Sequence, residues 1–203
     1  MTGRFVGLGR TFLGVALVGL GVQQFLYGEF VVGRAPAWPS SVPGGVIWAW
    51  VTGAFFIAVG LALVTDRHVR PAALVAAVLV FFWALVRHVP FAATDHDFGG
   101  AWTNAGKALA FTGGLLLAAG AGTMTAPSTS RLMRFLNSRR ELEYAGRVGL
   151  GLFLMASGVQ HFLFVSFVNT LVPTWVGPPT FWTYFAGVAL IAGGLGLMIP
   201  RTA

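Results

Sequence analysis

Cysteine is missing from this chain. That excludes disulfides, thiolate chemistry and thiolate-held iron–sulfur clusters. Charge is scarce as well: only 9% of the 203 residues are Asp, Glu, Lys or Arg, against about 25% in a soluble domain. No H-x-x-H or H-E-x-x-H spacing offers a ready metal site, and no G-x-x-x-x-G-K-[ST] offers a phosphate loop. His88, His96, His161, Asp95 and Asp97 are ligands enough for zinc, copper or non-haem iron, but no fixed metal spacing joins them, so no metal site is assigned.

What is abundant is apolar. The chain is 56% hydrophobic with a mean hydropathy of +0.78. Uncharged apolar runs of 18 or more residues read as transmembrane helices, because about 20 residues rising 1.5 Å each cross a 30 Å hydrocarbon layer. The expected fold is all-α: a polytopic bundle of six transmembrane helices. They lie near Val6–Tyr27, Val46–Val64, Pro71–Val89, Ala105–Met124, Tyr144–Phe167 and Phe181–Ile199. The net charge of +7 would suggest nucleic acid in a soluble protein. Here the arginines flank apolar runs, so the partner is the bilayer and not nucleic acid. Of the 13 basic residues, all but Arg34, Arg87 and Lys107 fall on the side of the termini. That bias predicts a multi-pass protein of a bacterial-type inner (cytoplasmic) membrane with both termini cytoplasmic.

The chain also repeats itself. Gly158-Val159-Gln160-His161-Phe162 answers Gly21-Val22-Gln23-Gln24-Phe25. At the same spacing Gly146-Arg147 answers Gly9-Arg10, Gly151 answers Gly14, Pro173 answers Pro36 and Trp175 answers Trp38. After a short deletion Gly187 answers Gly53 and Gly194 answers Gly60. This predicts a four-helix unit over residues 1–125, a basic cytoplasmic linker over 126–143, and a two-helix partial parallel repeat over 144–203. An LMRFL segment inside the linker reads as a short amphipathic surface helix.

That topology gathers the unusual polar side chains at the outer helix ends. Gln24, Gln160 and His161 lie about 20 Å from the cytoplasmic arginines at 1.5 Å per residue, and Arg87 and His88 end the third helix on the same side. Polar groups at such depth are costly unless they pair, face the bundle interior, or meet water or a ligand. The functional reading joins His161 and His88 as hydrogen-bond or proton partners of a quinone, with Gln24 and Gln160 as further donors. Trp38 and Trp175 would form its walls. The plain alternative has the glutamines pinning helices together and Arg87 snorkelling to the interface. The Asp95-His96-Asp97 loop reads as a solvated turn, and the seven tryptophans as an interfacial belt.

These residues carry a resemblance. G-V-Q-H-F (158–162), L-V-P-T-W (171–175), R-H-V-P (87–90) and W-T-N-A-G-K-A-L-A (102–110) are similar to the DoxX-like membrane protein family. The resemblance implies a four-helix core and quinone-linked redox work, since that family includes the membrane subunit of a thiosulfate:quinone oxidoreductase. It fixes no catalytic residue. The leading expectation is a DoxX-like protein that binds a quinone or similar lipophilic molecule near the outer leaflet. It would be the membrane part of an electron-transfer system, with a protein partner or homo-oligomer in the membrane. The alternative is a non-catalytic accessory subunit of a larger membrane bioenergetic complex.

Overall fold

The computed structural model describes residues 2–30, 38, 41–122 and 135–199, with side chains from Phe5 onward. Every regular element among them is helical. They are α1 (Thr2–Tyr27), α2 (Gly45–Val64), α3 (Val69–Trp83), α4 (Val89–Ala92), α5 (Gly100–Ala121), α6 (Arg139–Leu163), α7 (Val165–Asn169) and α8 (Pro179–Met198). A π-turn, Ala84–His88, joins α3 to α4, and a 3-10 turn, Thr174–Val176, precedes α8. Four stretches are long and apolar enough to cross a membrane: Phe5–Tyr27, Gly45–Val64, Val69–Ala92 and Pro179–Met198. This is the build of a membrane protein.

The helices pack in a row, α1 on α2, α2 and α5 on α3, α6 on α5, and α8 on α6. The closest contacts are made by glycine. A Cβ on Gly14 would stand 2.8 Å from the Gly60 carbonyl oxygen, and one on Gly21 2.5 Å from that of Gly53. In the α6–α8 pair a Cβ on Gly151 would stand 2.7 Å from the Gly194 oxygen, and one on Gly158 2.7 Å from that of Gly187. Gly113 and Gly146 bring α5 and α6 together in the same way, at 2.6 Å. Lower numbers on one helix meet higher numbers on the next, so neighbours run antiparallel. The buried core is small-grained, with Ala73, Ala76 and Ala77 on α3 and Ala108, Ala118 and Ala119 on α5. Large apolar side chains such as Phe5, Leu26, Val78, Phe82 and Phe185 are exposed, as a lipid-facing surface requires.

The end nearer the termini is tied by arginine. Arg10 Nη1 lies 2.5 Å from Asp66 Oδ1. Arg147 donates to the carbonyls of Leu197 (2.7 Å) and Ile199 (3.0 Å) at the close of α8. Arg70 is 2% exposed. It donates to Ala119 O at 3.2 Å, at the negative end of the α5 dipole, and to Leu136 O ahead of α6.

Element limits differ from the sequence reading most in the third, fourth and fifth spans. The third span does not stop at Val89 but continues to Ala92, through the π-turn. The fourth begins at Gly100 rather than Ala105, because Asp95 Oδ2 accepts the Ala101 N–H at 3.2 Å and satisfies the helix start. The fifth begins at Arg139, inside the stretch 126–143, because Ser138 caps it by accepting the Glu141 N–H at 3.3 Å. It breaks at Phe164 instead of running to Phe167. Of the LMRFL segment only Phe135 and Leu136 are described, and both are helical; its first three residues, half of the first Pro/Trp loop and the body of the linker lie outside the described residues.

Gly21→Ala should force α1 and α2 apart and cost about 1–3 kcal/mol, seen as a lower melting temperature in detergent. Gly19→Ala, whose Cβ meets nothing within 4 Å, should leave the melting temperature unchanged or raise it.

Candidate functional site

At the end of the bundle away from the termini, α1, α2, α3 and α5 separate around a cavity of about 300 Å³. Phe56 on α2, Phe111 on α5 and Leu20 on α1 line it, close in sequence to the contact glycines Gly53, Gly113 and Gly21. Phe30, just past α1, and Trp83 on α3 close its upper wall. Phe30 stacks on Trp83 (centroids 5.1 Å apart, 25° between planes) and on Trp38 (5.2 Å, 9°). Trp38 and Trp83 are themselves 6.3 Å apart and nearly parallel, so three flat rings form one roof. Trp38 is held by its Nε1–H, which donates to Val42 O at 2.7 Å.

Polar groups enter this space from all four helices. Gln24 of α1 is 2% exposed, and its Oε1 accepts from Thr52 Oγ1 of α2 at 3.2 Å. Its amide NH2 is what it has left for a ligand. Asn104 and Lys107 come from α5. His88 is 1% exposed, and neither of its ring nitrogens has a hydrogen-bond partner. An unsatisfied buried polar group costs about 1–3 kcal/mol, so a position like this needs an explanation.

Backbone chemistry places His88 there. Pro90 has no N–H and cannot continue the ordinary ladder. The chain answers with the π-turn, in which Val89 N–H bonds Ala84 O, five residues back. Such turns re-aim the side chains they carry and recur at functional sites. Arg87, in the same turn, lays its guanidinium 5.8 Å from the Trp83 ring centroid, a cation–π contact that braces the roof.

The residues singled out in the sequence thus divide. Gln24 and His88 line the cavity, Trp38 forms part of the roof, and Arg87 supports it. His161, Gln160 and Trp175 do not line it. His161 Nδ1 is 2.7 Å from Ser157 O, one turn back on α6, and must donate to it since a carbonyl can only accept. Gln160 stitches α6 to α5: its Nε2 donates to Phe98 O (2.6 Å) and Gly99 O (3.1 Å), and its Oε1 accepts from Thr103 (2.8 Å). Trp175 is 86% exposed. Both oxygens of Asp95 are taken by the N–H groups of Asp97 and Ala101, and His96 is exposed. Among the described residues no three His, Asp or Glu side chains converge as metal ligands.

Thr52, Asn104 and Lys107 were not singled out as site residues. Lys107 had a signal: it is the only lysine in the chain, and it sits within a helix.

Fold and site together define an all-helical membrane protein with a roofed cavity lined by aromatic rings and by the polar side chains of Gln24, Thr52, His88, Asn104 and Lys107. A family model described as Domain of unknown function (DUF8561) matches residues 150–203, which hold most of α6 and all of α8. Every cavity-lining residue precedes that stretch. Comparison with curated proteins and with solved structures gives no match.

Replacing His88 by leucine removes an unsatisfied imidazole and keeps the volume. The melting temperature of His88→Leu in detergent should therefore equal or exceed that of the wild type, which a histidine serving only to stabilise the fold would not allow.

Proposed function

We propose that this protein holds a quinone, or a similar flat lipophilic molecule, in the His88 cavity near the outer leaflet, as the membrane part of an electron-transfer system. One observation carries the reading: a nearly solvent-free imidazole with both nitrogens unpartnered faces a cavity under stacked aromatic rings. A neutral imidazole offers one donor and one acceptor, which suits a carbonyl or a hydroxyl. The Gln24 amide supplies a second donor, and Phe30 and Trp83 supply flat faces for a ring. The cavity lies at the small end of the 300–1,000 Å³ usual for ligand pockets, so it fits a head group, with any lipid tail passing out between helices. The DoxX-like resemblance points the same way: its R-H-V-P segment supplies His88, and its W-T-N-A-G-K segment supplies Asn104 and Lys107 across the cavity. Electrons would have to come from a partner protein, since the chain carries no electron-carrier motif.

The membrane arrangement is part of the proposal. α5 and α6 have 22 and 25 residues, enough to cross, and their glycine contacts place them alongside the more apolar helices. Six spans with the cavity end outward follow the arginine bias. The α1–α2 and α6–α8 hairpins are read as copies. Their matched glycines touch in the same pairs, and Arg10 and Arg147 each reach the far end of their own hairpin. The accessory-subunit reading draws on a different observation: Gly7, Gly9 and Gly19 of α1 have no atom within 4 Å of a built Cβ. A neighbouring subunit could pack there.

A short-chain quinone titrated into detergent-purified protein should quench tryptophan fluorescence to saturation. His88→Leu should weaken that binding at least about tenfold, the loss of one buried hydrogen bond to a ligand, while His161→Ala leaves it unchanged. Equal binding by His88→Leu and wild type would overturn the assignment of the cavity.

A further inference from the structure

Resting on that reading, we infer that the cavity selects a ligand with a negatively charged oxygen head, an aryl carboxylate or ionised hydroxyl on a flat ring, and that Lys107 is the residue that selects it. The charge balance of the cavity leads there. Lys107 lines the cavity from α5, on the element that faces the His88 π-turn. None of the lining residues is acidic. Lys107 makes no ion pair among the described residues, whose two ion pairs are Arg10–Asp66 and Arg139–Glu143. The acids at this end are engaged or outside the cavity. Asp95 accepts the N–H groups of Asp97 and Ala101, one on each oxygen, and Glu29 and Asp97 are exposed and do not line it.

The donor balance agrees. Lysine is donor-only, with three N–H groups, and the Gln24 amide NH2 adds two more donors. A site so weighted towards donors is matched by a head that only accepts. Lys107 is itself exposed, and as a cation without a counter-ion it gains most when the ligand brings the opposite charge. The aromatic roof sets the rest of the molecule, since a ring lying against Phe30 and Trp83 has its polar edge towards Lys107 and His88. Snorkelling of Lys107 to an interface is the ordinary alternative, and it makes no distinction between charged and neutral ligands.

The test uses a matched pair of probes, anthracene carboxylate and its neutral carboxamide, titrated into the full-length protein in detergent and read by tryptophan quenching. Wild type should bind the carboxylate at least about tenfold more tightly than the carboxamide, a preference that falls with added salt. Lys107→Gln should abolish the preference, and Lys107→Arg should restore it, which separates loss of charge from loss of fold. Equal binding of the two probes by wild type, or a preference that survives Lys107→Gln, overturns the charge selection and leaves the neutral-quinone reading standing. No quenching by either probe or by a neutral quinone removes the cavity assignment and this inference together.

Discussion

Backbone contact at glycine is the constraint on which the rest of this structure depends. Within a bilayer the hydrophobic effect gives helices no reason to prefer one another over lipid, so association rests on close packing and on bonds between helices. Gly14 on Gly60, Gly21 on Gly53, Gly113 on Gly146, Gly151 on Gly194 and Gly158 on Gly187 bring main chains so near that a single methyl would overlap a carbonyl. Those contacts fix helix spacing through the middle of the bundle. The α1–α2 pair stays closed at Gly21 and Gly53, and the cavity lies where the outer half of that pair faces α3 and α5, lined by Phe30, Phe56, Trp83 and Phe111.

Inside this frame the chain treats buried polarity in two ways. Arg70 bonds two carbonyls. Thr112 bonds Ala108 O, Thr183 bonds Asn169, and Gln24 bonds Thr52. Each fastens one element to itself or to the next. His88 is the exception among the buried polar residues, with neither nitrogen engaged. It is also the one carried on a π-turn, beside the proline that forces it. A group that costs stability and is held in place by special backbone geometry is best explained by a ligand that completes it.

Much of the helical frame could be read from the sequence. Four apolar spans, the polar turn before Pro71 and the pairing glycines all announce themselves, because hydropathy and close packing leave strong marks on composition. The site was only half legible. Gln24, His88 and Trp38 lie at the candidate cavity, whereas the sequence joins His161 to His88 only because both lie near the same helix ends. Depth follows from counting residues at 1.5 Å each, whereas rotation about the helix axis does not when every face is apolar. The structure resolves that rotation: the imidazole of His161 turns back to Ser157, and the adjoining Gln160 spends its amide on the start of α5. Two marks went unread. Ser138-Arg139-Arg140-Glu141 is a helix-start signature that moves α6 back into the linker. The single lysine, in a chain that otherwise uses arginine for every cation, marked the fourth wall of the cavity.

The central claim, that His88 is left open for a bound lipophile, is tested most directly by native mass spectrometry of gently purified protein. Wild type should carry a stoichiometric aromatic adduct distinct from phospholipid, and His88→Leu, equally folded, should lack it. Phospholipid alone on the wild type, or the same adduct on both proteins, would contradict the claim.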